Sequence, residues 1–185
     1  MKGGPPSPQL ASEIIPYLAL PTFDDNLVLY GYQKFASSGI IAANVANAAQ
    51  VRMRNPLAAN IIVLIKQFWA RSAAATVLNF FMNQPTTVAD LGTLTGTIGI
   101  DGRGPSRAAA VASETSAVAA TGAGAQFWTR RLNALNTDQE FLAGELITLS
   151  PGGYFEVDTS AINQDMTWNL VWLERYLEES ERIGG

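Results

Sequence analysis

The sequence predicts an all-β protein: an antiparallel β-sandwich or jelly roll with an extended, Pro-rich N-terminal arm. Three observations predict it. About eight short segments rich in β-formers follow one another, separated by turn signals. No segment carries an amphipathic helical pattern of several turns. The stretch from Glu145 to Glu181 reads as strand, tight turn, strand, short loop, long final strand and acidic tail. A chain of 185 residues suits one domain. The expected division is an arm over 1–25 and a sandwich over 26–185, with a Gly/Ala-rich loop insertion around 92–124. No internal repeat of fixed period is visible.

The elements follow in order. Pro5, Pro6, Pro8, Pro16 and Pro21 remove backbone donors from the arm and disfavour a long helix. Ile14, Ile15, Tyr17, Leu18, Leu20 and Phe23 make the same arm apolar, so it docks on its own domain or on a neighbour. Leu27 to Phe35 is rich in β-formers, and Ser37-Ser38-Gly39 reads as a break. Ile40 to Gln50 is expected to be strand or irregular, with a short Ala-favoured helix as the alternative. Gln50 to Arg54 alternates, with Val51 and Met53 on one face and Gln50, Arg52 and Arg54 on the other. That is a half-buried strand. Asn55-Pro56 is a turn signal. Ile61 to Ile65 is apolar on both faces and suits a central strand, and Ala74 to Met82 gives the next one.

Asn83 to Thr121 is punctuated by Gly92, Gly96, Gly99, Gly102 and Gly104. Asp101-Gly102 suits a type I′ hairpin turn. Ser106 to Gly124 reads as an extended surface loop or a short helix starting near Arg107; long loops of this kind are usually functional or interfacial. Gln126 to Arg131 resumes strand character, and Thr137 to Ala143 is a short link. The closing hairpin turns at Pro151-Gly152-Gly153. Trp168, Leu170 and Trp172 then share one face of the last strand; for the four tryptophans, Trp69, Trp128, Trp168 and Trp172, core packing is the expected role, with a sugar-binding platform and then an interface anchor as the alternatives.

Composition narrows the chemistry. Apolar residues make up 48% and charged residues 15%, against roughly 25% charged in typical soluble domains. Such weakly charged surface suits a protein packed in an assembly. The net charge is −4 and no basic run occurs, which argues against nucleic-acid binding. There is no cysteine and no histidine. Disulfides, thiol chemistry, the usual zinc spacings and the commonest general base are therefore excluded. Met1-Lys2-Gly3-Gly4 opens without an apolar core, so no signal peptide is expected. Ile61 to Ile65 is too short to span a bilayer, so no membrane partner is expected.

No motif carries catalysis. Asp24-Asp25 falls short of a calcium site. Gly99 to Gly104 has glycines but no Gly-Lys-Ser/Thr and is not a P-loop. A serine hydrolase would need a histidine. A glycosidase needs only two carboxylates. Glu140, Glu145, Glu156, Asp158 and Asp165 offer them, but isolated acids on β-hairpins usually serve surface solvation. The expectation is no catalytic, cofactor-binding or metal-ligating residue, no cofactor, and no enzyme.

Two blocks carry a resemblance. One is Gln50-Val-Arg-Met-Arg-Asn-Pro56 with the strand Ile61 to Ile65. The other is Leu149-Ser-Pro-Gly-Gly-Tyr-Phe-Glu-Val157 with Asn163 and the ending Trp172 to Glu181. Together they resemble small β-sandwich structural proteins of tailed-bacteriophage virions. The resemblance covers the sandwich from about residue 26 and leaves out the arm and the Gly/Ala loop. It implies a capsid cement or decoration protein, made in the host cytoplasm and seated on the surface of the head shell. It further implies a homo-oligomer, with a trimer favoured, that contacts the major capsid protein or other virion proteins. A carbohydrate- or receptor-binding tail or head-fibre module is the alternative.

Overall fold

The computed structural model describes residues 31–83, 89–100, 109–119, 124–134, 138–142 and 147–181. The chain divides into two units, 1–32 and 33–185. The Pro-rich arm, the Asp101-Gly102 turn, the proposed helix start at Arg107 and Glu145 lie outside the described residues. The second unit is all-β, as the sequence predicts. Its strands are β1 (Gln33–Ile41), β2 (Gln50–Arg54), β3 (Ile61–Arg71), β4 (Thr76–Asn83), β5 (Thr93–Leu94), β6 (Thr97–Gly99), β7 (Val111–Thr115), β8 (Ala125–Leu132), β9 (Gln139–Glu140), β10 (Ile147–Leu149), β11 (Tyr154–Thr159) and β12 (Met166–Tyr176).

They form two antiparallel sheets. Sheet one runs β10-β3-β12-β1-β6, with β9 also on β3; sheet two runs β5-β7-β2-β11-β4-β8. Eight strands make the frame: β1, β2, β3, β4, β8, β10, β11 and β12. The first of them pairs with the eighth, the second with the seventh, the third with the sixth and the fourth with the fifth. That nesting, folded into two facing sheets, is a jelly roll.

The core lies between the sheets. Phe35, Val63, Ile65, Phe68, Trp168, Leu170 and Trp172 enter it from sheet one; Val51, Met53, Leu78, Phe80, Phe155 and Val157 enter from sheet two. Phe68 meets Phe80 and Phe155 edge-on at 5.9 and 6.2 Å. Such pairs add about 0.5–1.5 kcal/mol beyond the area they bury. Ile61 to Ile65 is central, as expected: β3 is bonded to β12 on one side and β10 on the other.

Four expectations are corrected. Ser37-Ser38-Gly39 does not end a strand but lies inside β1, paired with Leu170, Asn169 and Trp168. Gln50 to Arg54 is not half-buried: Gln50 and Arg52 are buried beside Val51 and Met53. The described part of the closing hairpin, from 147 to 158, does not pair with itself. β10 belongs to sheet one and β11 to sheet two, so Pro151-Gly152-Gly153 carries the chain across the sandwich, with Gly152 at φ +83°. The Gly/Ala-rich insertion is not a plain loop but holds β5, β6 and β7.

Those three short strands extend both sheets on the same side. β6 continues sheet one beyond β1, and β7 and β5 continue sheet two beyond β2. Thr95 stitches the two together. Its hydroxyl donates to Ala112 O at 3.1 Å and lies 2.8 Å from Ser37 Oγ, which reaches Gly96 O at 2.9 Å. Two tryptophan–carboxylate contacts hold β12 to this region. Trp168 Nε1 donates to Glu114 of β7 at 2.5 Å. Trp172 Nε1 donates to Glu174, whose carboxylate also accepts from Ala109 N and Ala110 N at 2.8 and 3.1 Å.

Candidate functional site

The outward face of sheet two gathers Gln50, Arg52, Arg54, Glu156 and Asp158. Along β11 the side chains alternate: Phe155 and Val157 enter the core, so Tyr154, Glu156 and Asp158 point the other way. Register sets Arg52 of β2 opposite Glu156 and Gln50 opposite Asp158. Arg52 Nε donates to Glu156 Oε2 at 2.7 Å, and its Nη2 lies 2.5 Å from the same oxygen. Its Nη1 donates to Ala89 O at 2.7 Å, and its guanidinium sits 5.4 Å from the Tyr154 ring centre. Next along β2, Arg54 grips Asp90 with two bonds of 2.8 and 2.9 Å. Gln50 Nε2 donates to Val118 O at 2.7 Å. The segments around 89–91 and 116–118 thus bond to the outward-facing side chains of β2.

Covering these groups has an electrostatic cost. Asp158 accepts from Asn79 Nδ2 at 3.0 Å. Burial nevertheless pushes its carboxyl up to about 6, helped by the negative charge of Glu156 and opposed by the Asn79 bond. Burial also raises Glu174, against the bonds from Ala109, Trp172 and Ala110. At the other extreme, Arg175 holds Glu181 down to about 2 through a two-pronged contact, aided by the Glu178 N–H.

The five acidic candidates fall into different places. Glu156 and Asp158 are 0% and 5% exposed, which corrects their reading as surface solvation. Glu140 sits at a sheet edge, accepting from Gln67 at 3.2 Å. Asp165 accepts from Ser72 Oγ and Ala73 N at 3.0 and 3.1 Å, closing the β3–β4 turn. Glu145 lies outside the described residues. Among the described candidates, only Glu156 and Asp158 are brought together. Two positions apart on a strand, they are spaced by roughly 6.6 Å, with Glu156 locked to Arg52. No group of three or more potential metal ligands occurs among the described residues.

The tryptophans separate as clearly. Trp168 and Trp172 are fully buried with Leu170, so these two rings offer no aromatic platform. Trp128 packs against Phe80 at 6.2 Å, under Arg130 at 4.9 Å. Trp69 alternates with core residues Phe68 and Ala70, points outward from sheet one, and is half-buried.

A second arrangement involves no titratable chemistry. Asn55, fully buried, ties three segments at one corner. Its Nδ2 donates to Ile61 O and Leu149 O at 2.9 and 3.0 Å. Its N–H donates to Gly153 O at 2.8 Å, and its carbonyl accepts from Gly152 N at 2.9 Å. Ile61 and Ile62 pair with Tyr176 and Arg175 on the same strand end. The sequence marks Asn55-Pro56 only as a turn, because no local signal reveals a bond to Leu149 far along the chain.

At one end of the sandwich three connections are bonded together. Asn163 N donates to Asn44 O at 2.8 Å and Ser116 Oγ to Ala42 O at 2.9 Å. These connections expose aliphatic side chains: Val45 at 77%, Ile162 at 55% and Val118 at 49%.

No protein-family model matches this chain, and neither a curated protein nor a solved structure does.

Proposed function

We propose that the protein is a non-enzymatic structural component of a tailed-phage virion, a capsid cement or decoration protein that stabilises the head shell as a homo-oligomer, with a trimer favoured. The observation that carries the reading is the Asn55 corner. Gln50–Pro56, Ile61–Ile65, Leu149–Val157 and the strand part of Trp172–Glu181 hold the resemblance to virion sandwich proteins. The first two segments lie more than 80 positions before the others, yet β2 lies on β11, β3 on β12, and Asn55 joins both pairs. The resemblance therefore falls on one continuous structural unit. That unit is built from backbone pairing, a buried amide and the buried Arg52–Glu156 ion pair, features that brace a sandwich.

The exposed Val45, Val118 and Ile162 support contact with other virion proteins, the major capsid protein first. Ordered apolar side chains at one end of a domain suit a packed interface. Repeated contacts across an oligomer add avidity, so each contact can be modest. The two covered carboxylates favour this reading over hydrolysis, since Glu156 is held by Arg52 and neither is open to a substrate.

Gold-labelled antibody against the chain, applied to the phage particle that encodes it, tests the reading by electron microscopy. Label on the head surface is expected, together with a trimer in light scattering of the purified chain. Label confined to the tail would transfer the protein to the tail-module reading. Particles without label, with a monomer in solution, would overturn the virion role.

A further inference from the structure

The outward face of sheet one carries a recess of about 390 Å³, within the roughly 300–1,000 Å³ of small-molecule sites. Short side chains of the two central strands form its floor: Ala36 and Ser38 on β1, Asn169 and Val171 on β12. Taller walls flank them. Trp69 of β3 stands on one side, with Asp138 at the rim. Ile98 of β6 and Ile100 just beyond it stand on the other. Three strand spacings separate β3 from β6, roughly 14 Å. Cross-strand register aligns Trp69, Asn169 and Ser38 in one row across three adjacent strands.

The polar groups of this row are uncommitted. The Trp69 indole N–H, the Asn169 amide and the Ser38 hydroxyl make no hydrogen bond to any described residue. Asp138 lies 3.9 Å from Arg71 Nε, beyond hydrogen-bond range, so its carboxylate can still accept. The recess thus combines an aromatic surface and an aliphatic wall with a group that only accepts, a group that only donates, and two that do both.

A sugar ring matches that combination. One of its faces is C–H and stacks on an indole, and its rim is a set of hydroxyls that each donate and accept. A proline-rich peptide would fit the apolar walls but has few N–H groups to offer Asp138 and the Asn169 carbonyl. An anionic ligand would meet the Asp138 carboxylate, and no Lys or Arg is among the described residues that line the recess. From this geometry we infer that the recess binds an uncharged saccharide, stacked on Trp69 and held by Asn169, Ser38 and Asp138. The inference rests on this face alone and is independent of the virion reading.

The full chain, titrated with a panel of uncharged gluco-, xylo-, manno- and N-acetylglucosamine oligosaccharides, tests it by calorimetry and tryptophan fluorescence. At least one sugar should saturate a single site per chain and shift the indole emission. Trp69→Ala should abolish binding, Asn169→Ala should weaken it by about tenfold, and Trp128→Phe should leave it unchanged. Trp69 is half-buried, so Ser38→Phe serves as a second variant. It changes an exposed side chain, fills the recess, and should abolish binding with the melting temperature retained. The inference is overturned if no panel member binds at millimolar concentration, if binding survives Ser38→Phe, or if decaproline binds through Trp69 where the sugars do not.

Discussion

Asp158 shows how a polar residue on this sandwich acquires a cost. Its ordinary value is 3.8, and burial raises it to about 6. The folded chain therefore holds this proton more tightly than the unfolded one. Its contribution to stability is fully present below pH 3.8 and is lost as pH rises through about 6. Asp158→Asn should raise stability at neutral pH and flatten the fall in melting temperature between about pH 4 and 6.5. Thermal melts of both proteins across that range check it, and an unchanged pH profile would contradict the assignment. Glu181 works with the opposite sign: Arg175 lowers it, so its contribution is fully present above 4.5 and is lost as pH falls from there through about 2. At this scale the sequence was partly legible. The alternation Gln50-Val51-Arg52-Met53 correctly placed two faces. It could not show that the polar face would be covered, because the covering segments near 89–91 and 118 lie 35 or more positions away.

Elements were legible wherever β-propensity and apolarity coincide, as in Ile61 to Trp69 or Trp168 to Trp172. They were illegible where packing demanded small residues. β7 reads Val-Ala-Ser-Glu-Thr and looks like loop, yet Ala112 and Ser113 are both buried. Its strand state is imposed by β2 and by Glu114, which lies within reach of Trp168. Gly39 belongs to the same contact. A Cβ there would fall within 1.9 Å of Glu114 Oε2 and 2.7 Å of Trp168 Nε1, so the residue that looks like a strand breaker is what allows β1 and β7 to close. Gly39→Ala should destabilise the protein by about 1–3 kcal/mol through overpacking, measured by urea denaturation. The loss should shrink in Gly39→Ala/Glu114→Ala, where the obstructing carboxylate is gone. The closing turn teaches a similar lesson. Pro151-Gly152-Gly153 is a genuine reversal, but a tight turn does not say whether its strands pair with each other or with opposite sheets.

At the scale of the molecule, fold class was the most legible property, because about eight of the strands carry β-formers between turn signals regardless of partner. Topology was not, since the nested pairing is a set of long-range choices. β12 is the strand on which sheet one depends, bonded to β1 along nine residue pairs and to β3 along ten. A chain ending at residue 165 would leave Phe35, Ile65 and Phe68 without Trp168, Leu170 and Trp172 opposite or beside them. Such a chain should show no cooperative unfolding transition, whereas one ending at 181 should melt as the full protein does. Far-UV circular dichroism on heating distinguishes the two. A cooperative melt of the shorter chain would mean that sheet two folds alone.

The first-to-last pairing also sets a schedule for biosynthesis. β1 emerges from the ribosome with neither of its sheet partners, because β6 comes from the later excursion and β12 from near the end. At ordinary rates of about 5–20 residues per second, β1 waits on the order of ten seconds for β12. Through that interval the nascent chain carries Phe35, Val63, Ile65 and Phe68 with no closed core to receive them. Topologies dominated by distant pairings fold slowly for the same reason. Yield in a heterologous host should therefore depend on growth temperature and on chaperones that shield apolar nascent segments, more than on the stability of the finished sandwich.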